Sequence, residues 1–402
     1  MRAPLWLVIW LITWLPAAGC VPARPVPPAI ELVESWPVGT DLGHADIPDA
    51  HDVWPEMIRG ARRTLDLATF YVSHRPDGRL GPVLAALREA GARGVRVRVL
   101  VDATFFNKYP AVAGWLARCR GITLRRLDFS SRGGVMHAKY FVVDGQEAFL
   151  GSHNLDWRSL EHIHELGVRV RVPEVAQRLT DLFELDWAQA GGAVIPSPAP
   201  SERPVIRPAR VQLGREPADL RVVASPPDLL PIGVGMEFDA LAAMLRRARR
   251  TIHLELFSYR TTDEDGRIFT NLDNTLRRVA QDGVKIRLLV SEWNREGPAR
   301  HALQELAMLP GVTVRYLVIP PHPGGVIPFA RVAQAKYLVV DGQEIWISSS
   351  NWAKSDFMRS RNVGLVISSP VLGARLDRFF LHAFDGPLAE PLPAGDFAAD
   401  PH

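Results

Sequence analysis

Residues 137 to 154 carry side chains whose types and spacing could break a phosphate ester. His137 and Lys139 lie two positions apart, and on a β-strand that spacing directs both side chains to one face. An imidazole placed there can attack phosphorus while the neighbouring ammonium group binds a phosphate oxygen. Ser152 and Asn154 repeat the spacing on the expected neighbouring strand, and they offer neutral hydrogen-bond donors to the same phosphate.

The reactive residue types of this stretch follow a fixed order: His137-x-Lys139, Asp144, Gly151-Ser152-x-Asn154 and Glu165. This order resembles the HxKxxxxD…GSxN signature of the phospholipase D superfamily. The resemblance implies that one histidine attacks phosphorus and forms a phosphohistidine. A second histidine then protonates the leaving oxygen, and water releases the product. For this chain the resemblance assigns the nucleophile to His137.

An internal repeat organises the elements that must position these residues. In each half an amphipathic helix leads through Ala-Arg-Arg-Thr, at 61–64 and 248–251, into an alternating apolar strand. A tail helix begins at Pro173 in the first half and at Pro370 in the second, where proline suits a first helical turn. Strands alternate with helices, which predicts an α/β fold with helix-covered sheets. The resemblance implies that the two phospholipase-D-like domains pack as a pseudo-twofold monomer with one shared active site.

The second copy of the signature is altered. It retains four residues of the pattern: Lys336, Asp341, Ser349 and Asn351. Gln334 stands where the first copy has His137, Asn362 stands in place of Glu165, and Ser348 stands in place of Gly151. Glutamine can donate a hydrogen bond but cannot supply a proton, and general-acid help is worth about 10²–10⁴ in rate.

The predicted site residues fall into two groups. By resemblance, the catalytic residues are His137, Lys139, Asp144, Glu165, Lys336 and Asp341. The substrate-binding residues are Ser152, Asn154, Gln334, Ser349 and Asn351. We expect no metal and no cofactor, because the sequence contains neither an HExxH motif nor a pair of cysteines with metal-ligand spacing.

The sequence favours a phosphodiesterase that hydrolyses a phospholipid or another phosphodiester, or transfers its phosphatidyl group, through His137. A catalytically weak or inactive phosphodiester-binding envelope lipoprotein is the alternative, and a structural envelope protein with an inherited fold is a weaker one. The resemblance is closest to the branch of animal endolysosomal phospholipase-D-like proteins and poxvirus envelope homologues, which includes 5′ exonucleases on single-stranded nucleic acid. We favour a lipid or small phosphodiester over nucleic acid, since no run alternates aromatic residues with arginine.

The N-terminus resembles a bacterial lipoprotein signal. Arg2 precedes a short apolar run, and Ala17-Ala18-Gly19 leads to Cys20, which would carry the lipid. An ordinary secretory signal or an uncleaved anchor is the alternative. We therefore expect an exported protein anchored on the periplasmic side of a membrane. Cys119 would then have no disulfide partner.

Composition and domain boundaries complete the expectation. The 402 residues are 47% hydrophobic with a formal net charge of +3, which permits an anionic ligand without establishing one. We divide the chain into a signal peptide 1–19, a tether 20–30, a first domain 31–192, a proline-rich linker 193–212, a second domain 213–390 and a tail 391–402.

Overall fold

The computed structural model describes residues 27–194, 206–263 and 265–393. The elements of the first half are β1 (Ile30–Ser35), α1 (Ala50–Gly60), β2 (Thr64–Thr69), β3 (Val72–Ser73), α2 (Leu80–Ala92), β4 (Arg96–Asp102), α3 (Ala103–Lys108), α4 (Pro110–Leu116), β5 (Ile122–Leu127), β6 (Tyr140–Val143), β7 (Glu147–Gly151), β8 (Leu155–Asp156), α5 (Trp157–Glu161), β9 (Glu165–Val170) and α6 (Pro173–Ala190).

The second half repeats this plan. Its elements are β10 (Ala209–Leu213), β11 (Glu216–Ser225), β12 (Gly235–Met236), α7 (Glu237–Arg247), β13 (Thr251–Leu256), α8 (Asn271–Gln281), β14 (Lys285–Ser291), α9 (Gly297–Ala307), β15 (Val312–Leu317), β16 (Tyr337–Val340), β17 (Glu344–Ser348), α10 (Lys354–Met358), β18 (Asn362–Ser368), α11 (Pro370–Phe384) and β19 (Ala389–Pro391).

The two main sheets share one strand order. The first sheet runs β1-β9-β7-β6-β2-β4-β5, and the second runs β11-β18-β17-β16-β13-β14-β15, with β10 and β19 added at its edges. In each sheet the fifth strand of this order, β2 or β13, pairs in parallel on one side and antiparallel on the other. This common order confirms the repeated α/β fold that the sequence predicted.

The apolar spacing of the sequence explains the helices that cover the sheets. In α1 the side chains of Val53, Met57 and Ile58 are buried, and they lie on one face at helical spacing. Asp49 caps the start of α1 by accepting a hydrogen bond from the backbone N–H of His51. The tail helices α6 and α11 begin at their prolines as predicted.

The two halves share a central apolar core. It includes Tyr140 and Leu166 from the first sheet, Tyr337 and Val363 from the second, and Phe183 from α6. A fully buried ion pair lies at the same boundary, where the Arg361 guanidinium of the second half is 2.7 Å from Asp186 Oδ1 of α6. The halves therefore form one packed unit.

Backbone hydrogen bonds join the halves next to the signature residues. The N–H of His137 donates to the carbonyl of Arg361 over 2.8 Å. In the matching contact, the N–H of Gln334 donates to the carbonyl of His164 over 2.9 Å. Each half thus holds the signature segment of the other.

Some expected segments are placed differently or lie elsewhere. Residues 209–212, which we assigned to the linker, belong to β10, which pairs with β11. Residue 391, assigned to the tail, ends β19, which pairs with β15. The signal peptide, Cys20 and the proline-rich part of the linker fall outside the described residues. Among the helices of the described ranges, none combines the length and hydropathy needed to cross a membrane.

Candidate active site

The signature segments lie immediately before strands rather than on them. His137 and Lys139 precede β6, and Lys336 precedes β16 in the same way. The strand that we expected at 137–139 begins only at Tyr140, because the N–H of His137 donates to the Arg361 carbonyl of the other half instead of pairing within the first sheet. The Lys139 ammonium donates to the carbonyl of His137, and the Lys336 ammonium donates to the carbonyl of Gln334 over 2.5 Å.

The imidazole of His137 is held by the second half. Its Nδ1 atom lies 3.0 Å from Asn362 Oδ1 and 3.7 Å from Asp356 Oδ1. Asn362 is fixed with its oxygen towards the ring, because its Nδ2 donates to the carbonyl of Asp356 over 3.0 Å and its Oδ1 accepts from Ser349 Oγ over 2.9 Å. The proton of a neutral His137 is therefore on Nδ1, and the lone pair is on Nε2.

Burial, followed by the charges of Lys139 and Lys336, lowers the pKa of His137 well below its ordinary value. The imidazole is consequently neutral near pH 7, as a nucleophile must be. The geometry and the pKa thus agree on an unprotonated Nε2 that can attack.

Two buried ammonium groups lie beside this imidazole. Lys139 and Lys336 are 3% and 1% exposed. Burial lowers the pKa of Lys336 to about 8, although the charges of Glu165 and Asp356 act in the opposite direction. Burial and then the charge of Lys336 lower the pKa of Lys139 well below its ordinary value. Two buried lysines, one of which lowers the pKa of the other, form a site suited to an anion.

The two signature asparagines have side-chain oxygens without a hydrogen-bond partner in the described chain, although both are buried. Their backbone N–H groups are fixed, since that of Asn154 donates to Ser159 Oγ and that of Asn351 donates to Asp356 Oδ1, each over 3.0 Å. The signature serines are occupied within the protein. Ser152 Oγ donates to the carbonyl of Leu166 over 3.2 Å.

Asp144 and Asp341 lie in the turns that follow β6 and β16, at the opposite ends of these strands from His137 and Gln334. Asp144 accepts hydrogen bonds of 2.7–2.9 Å from the backbone N–H groups of residues 62–64. Asp341 does the same for residues 249–251. These contacts correct our expectation of a catalytic role for the two aspartates, because their carboxylates hold the ends of β2 and β13 in place.

Glu165 and Gln334 form the other side of the site. Glu165 is fully buried, and its Oε1 accepts from Ser159 Oγ over 2.6 Å, while its Oε2 has no partner among the described residues. Burial raises the pKa of Glu165, although the charge of Lys336 acts against the increase. The backbone contact of Gln334 with His164 places position 334 next to Glu165, just as His137 is next to Asn362.

Asp356 is a site residue that the sequence reasoning missed. It is part of α10, it lines the cleft beside His137, and burial raises its pKa to about 6. The signal that could have found it is the alignment of the two halves. That alignment places an aspartate at 356 where the first half has Ser159.

The other histidines near the signatures are used elsewhere. His153 packs edge-on against Trp54, and burial lowers its pKa to about 3. His162 contacts His322 at a ring distance of 5.1 Å, and His164 Nδ1 lies 2.9 Å from Glu255 Oε1. Among the cleft-lining residues of the described chain, His137 is the only histidine.

A cleft of about 780 Å³ opens onto His137 and Asp356. Its walls carry four aromatic side chains: Phe70, Phe105, Phe257 and Trp293. Phe70 meets the His137 ring edge-on at 4.9 Å, and Trp293 is 52% exposed. The cleft therefore offers flat apolar surfaces next to an anion site.

Comparison with known proteins agrees with this geometry. The family description "Cardiolipin synthase, PLD-like domain" matches residues 55–187 and 241–383. The chain is 32% identical to bovine "5'-3' exonuclease PLD3", over 92% of this chain and 81% of that protein. It is 28% identical to "Phospholipase D Z" of Dictyostelium discoideum, over 90% of this chain and 91% of that protein.

Solved structures share the fold at low sequence identity. Phosphatidylserine synthase from Haemophilus influenzae Rd KW20 superposes with a TM-score of 0.59 at 12% identity, covering 85% of both chains. Polyphosphate kinase from Porphyromonas gingivalis superposes with a TM-score of 0.55 at 14% identity, covering 90% of this chain and 48% of that one. With its paired PLD-like domains and these relatives, the chain belongs to the phospholipase D superfamily, in the branch of the animal phospholipase-D-like proteins.

Proposed function

We propose that this protein is a phosphodiesterase that acts through a phosphohistidine on His137. Nε2 of the neutral imidazole attacks phosphorus, the bond to the leaving oxygen breaks, and water later cleaves the N–P bond. The observation that carries this proposal is the hydrogen bond from His137 Nδ1 to Asn362 Oδ1, which places the attacking lone pair on Nε2.

Lys139 and Lys336 bind the oxygens of the phosphate in this proposal. Both are buried, and each is fixed by the carbonyl two residues earlier. We assign the side-chain N–H groups of Asn154 and Asn351 to the same phosphate as neutral donors, and Asn351 Nδ2 also donates to Asp356 Oδ1 over 3.3 Å. Preorganised cations and amide donors in a buried site stabilise the charge that develops in the transition state.

Gln334 leaves the reaction without the second histidine of the family signature. The proposed enzyme therefore favours leaving groups that depart without a proton, because general-acid help matters most for poor leaving groups. The complete absence of turnover would instead support the phosphodiester-binding protein that the sequence left open.

We take the end of a single-stranded nucleic acid as the first substrate to test. The relatives at 32% identity carry the name 5'-3' exonuclease, and the cleft beside His137 has aromatic walls on which bases can stack. A phospholipid is the second candidate. It is favoured by the expected lipid anchor at Cys20, which would keep the protein at a membrane.

The test is a turnover screen of the chain lacking residues 1–19, with wild type compared to His137→Ala. Substrates are 5′-hydroxyl and 5′-phosphorylated single-stranded oligonucleotides, phospholipid vesicles and an aryl phosphodiester. We expect turnover by the wild type, an acid-trapped phospho-adduct on residue 137, and loss of both in the variant. His301→Ala, at an exposed position on α9, is the matched control. Turnover by purified His137→Ala would refute the nucleophile.

The anchor is a separate proposal. We expect Cys20 to carry lipid, so that Cys20→Ser releases the protein from the membrane fraction or leaves the precursor uncleaved. Metabolic labelling with a fatty acid is the measurement. Wild-type protein that takes up no label would contradict it.

A further inference from the structure

The two halves carry an acidic residue at different members of one pair of equivalent positions, 159 and 165 in the first half and 356 and 362 in the second. In the first half Ser159 and Glu165 are hydrogen-bonded, with the hydroxyl donating to the carboxylate over 2.6 Å. The equivalent positions of the second half hold Asp356 and Asn362, whose Nδ2 donates to the Asp356 carbonyl over 3.0 Å. The second half therefore has its acid at the first of the two positions instead of the second.

We propose that Asp356 is a positioning residue for His137, and that it supplies the carboxylate that is absent at Asn362. Among the described residues, Asp356 has the one carboxylate within 4.0 Å of a His137 ring nitrogen, at 3.7 Å from Nδ1. Its Oδ1 is fixed there by the backbone N–H of Asn351 at 3.0 Å. This proposal rests on the phosphodiesterase function proposed above.

The first step creates a positive charge on the imidazole that such a carboxylate offsets. When Nε2 bonds to phosphorus and the leaving oxygen takes the electron pair of the broken P–O bond, the imidazole keeps its Nδ1 proton and becomes a cation. Lys139 and Lys336 face the same ring with positive charge. Glu165 faces the lysines, and Arg260 faces Asp356. Asp356 offsets the cation from the Nδ1 side.

Asp356→Asn removes the negative charge but keeps the hydrogen bond, because the asparagine side chain still has an oxygen that can accept from the N–H of Asn351. We expect kcat on bis(4-nitrophenyl) phosphate to fall roughly tenfold to a hundredfold with KM little changed. In the wild type kcat should decline below about pH 6, where Asp356 becomes protonated, and Asp356→Asn should lack that decline. Asp239→Asn, exposed on α7, is the control.

The internal repeat supplies a rescue. Asp356→Ser combined with Asn362→Glu rebuilds the arrangement of the first half, so it should recover most of the activity that Asp356→Ser loses alone. Wild-type kcat in Asp356→Asn would overturn the proposal.

A measurement without turnover separates this proposal from the proposed function. Orthovanadate can accept Nε2 as a ligand, which leaves the imidazole a cation just as attack on phosphorus does. Its binding at pH 7.5, measured by calorimetry, should be weaker in Asp356→Asn than in wild type by roughly the factor seen in kcat, and Asp239→Asn should bind it as the wild type does. Equal binding by Asp356→Asn and wild type, or no binding by the wild type, would overturn the role of Asp356. A wild type that does not cleave the diester would refute the function, while the binding measurement would still decide the role of Asp356.

Discussion

The Nδ1 atom of His137 lies 3.0 Å from Oδ1 of Asn362, and the two residues belong to opposite halves of the repeat. The orienting partner of each signature position therefore crosses the pseudo-twofold axis. By the same relationship, the partner available to position 334 is Glu165, which is already a carboxylate.

Gln334→His should consequently restore general-acid help without a second substitution. We expect turnover of alkyl phosphodiesters to rise, by a factor within the usual range of about 10²–10⁴ for such help, while aryl diesters change little. The measurement is the ratio of alkyl to aryl turnover in wild type, Gln334→His and the control Gln334→Asn. A ratio that stays the same in a folded Gln334→His protein would mean that position 334 does not deliver the proton.

Binding of an oxyanion should draw a proton into the site. Because burial lowers the pKa of Lys336 to about 8, part of its population is neutral at pH 8.5, and a bound anion raises that pKa again. Titration calorimetry with tungstate at pH 8.5, in buffers of different ionisation enthalpy, should report proton uptake. Lys336→Met should weaken binding and remove much of the uptake.

The exposed substitution Lys285→Met is the control for this experiment. Unchanged tungstate binding by Lys336→Met would show that the second half does not contribute to the anion site.

Glu237 should make the protein less stable as the pH rises. Its buried carboxylate accepts hydrogen bonds from Trp346, Ser348 and Ser350, and burial raises its pKa to about 7. The folded pKa exceeds the unfolded one, so the contribution is complete below about pH 4.5 and is lost as the pH rises to about 7. Glu237→Gln should reduce the decline in unfolding free energy between pH 5 and pH 8 by roughly 2–3 kcal/mol.

Urea unfolding of wild type and Glu237→Gln at the two pH values is the measurement. An identical decline in both proteins would show that Glu237 titrates normally.

The buried ion pair of Arg361 and Asp186 should be sensitive to loss of one partner. Asp186→Ala leaves the guanidinium uncompensated in the core, which typically costs about 3–5 kcal/mol. Urea unfolding measures this cost, and Asp219→Ala, which breaks the exposed pair with Arg210, is the comparison. We expect the exposed pair to contribute little. Equal effects of the two substitutions would contradict the coupling of the halves through Arg361.

Much of the fold followed from local patterns. The repeated Ala-Arg-Arg-Thr segments and the prolines at 173 and 370 marked the same elements in both halves, because helix caps and apolar periodicity act over a few residues. The signature spacing also predicted that His137, Lys139 and Lys336 share one site, and the charges of both lysines act on the His137 ring.

The remaining features depend on contacts between residues far apart in the chain. The backbone at His137 is shaped by Arg361, more than two hundred residues later, so its spacing could not show that the strand starts only at Tyr140. Asp356 has no motif of its own, since the family pattern does not include that position. Its role can be recognised only in the fold, which places its carboxylate beside the imidazole of the other half.

The crossed hydrogen bonds between the signature segments bear on how the two copies can change. The second copy has no imidazole at 334, yet its Arg361 carbonyl accepts the backbone N–H of His137 and its Asn362 pairs with the His137 imidazole. The second copy therefore positions His137 of the first, so we expect a substitution at these contacts to change the reactivity of His137. A chain with two identical first copies would have serine at 356 and glutamate at 362. In the actual chain the first copy carries the imidazole, and the second copy carries the groups that orient it.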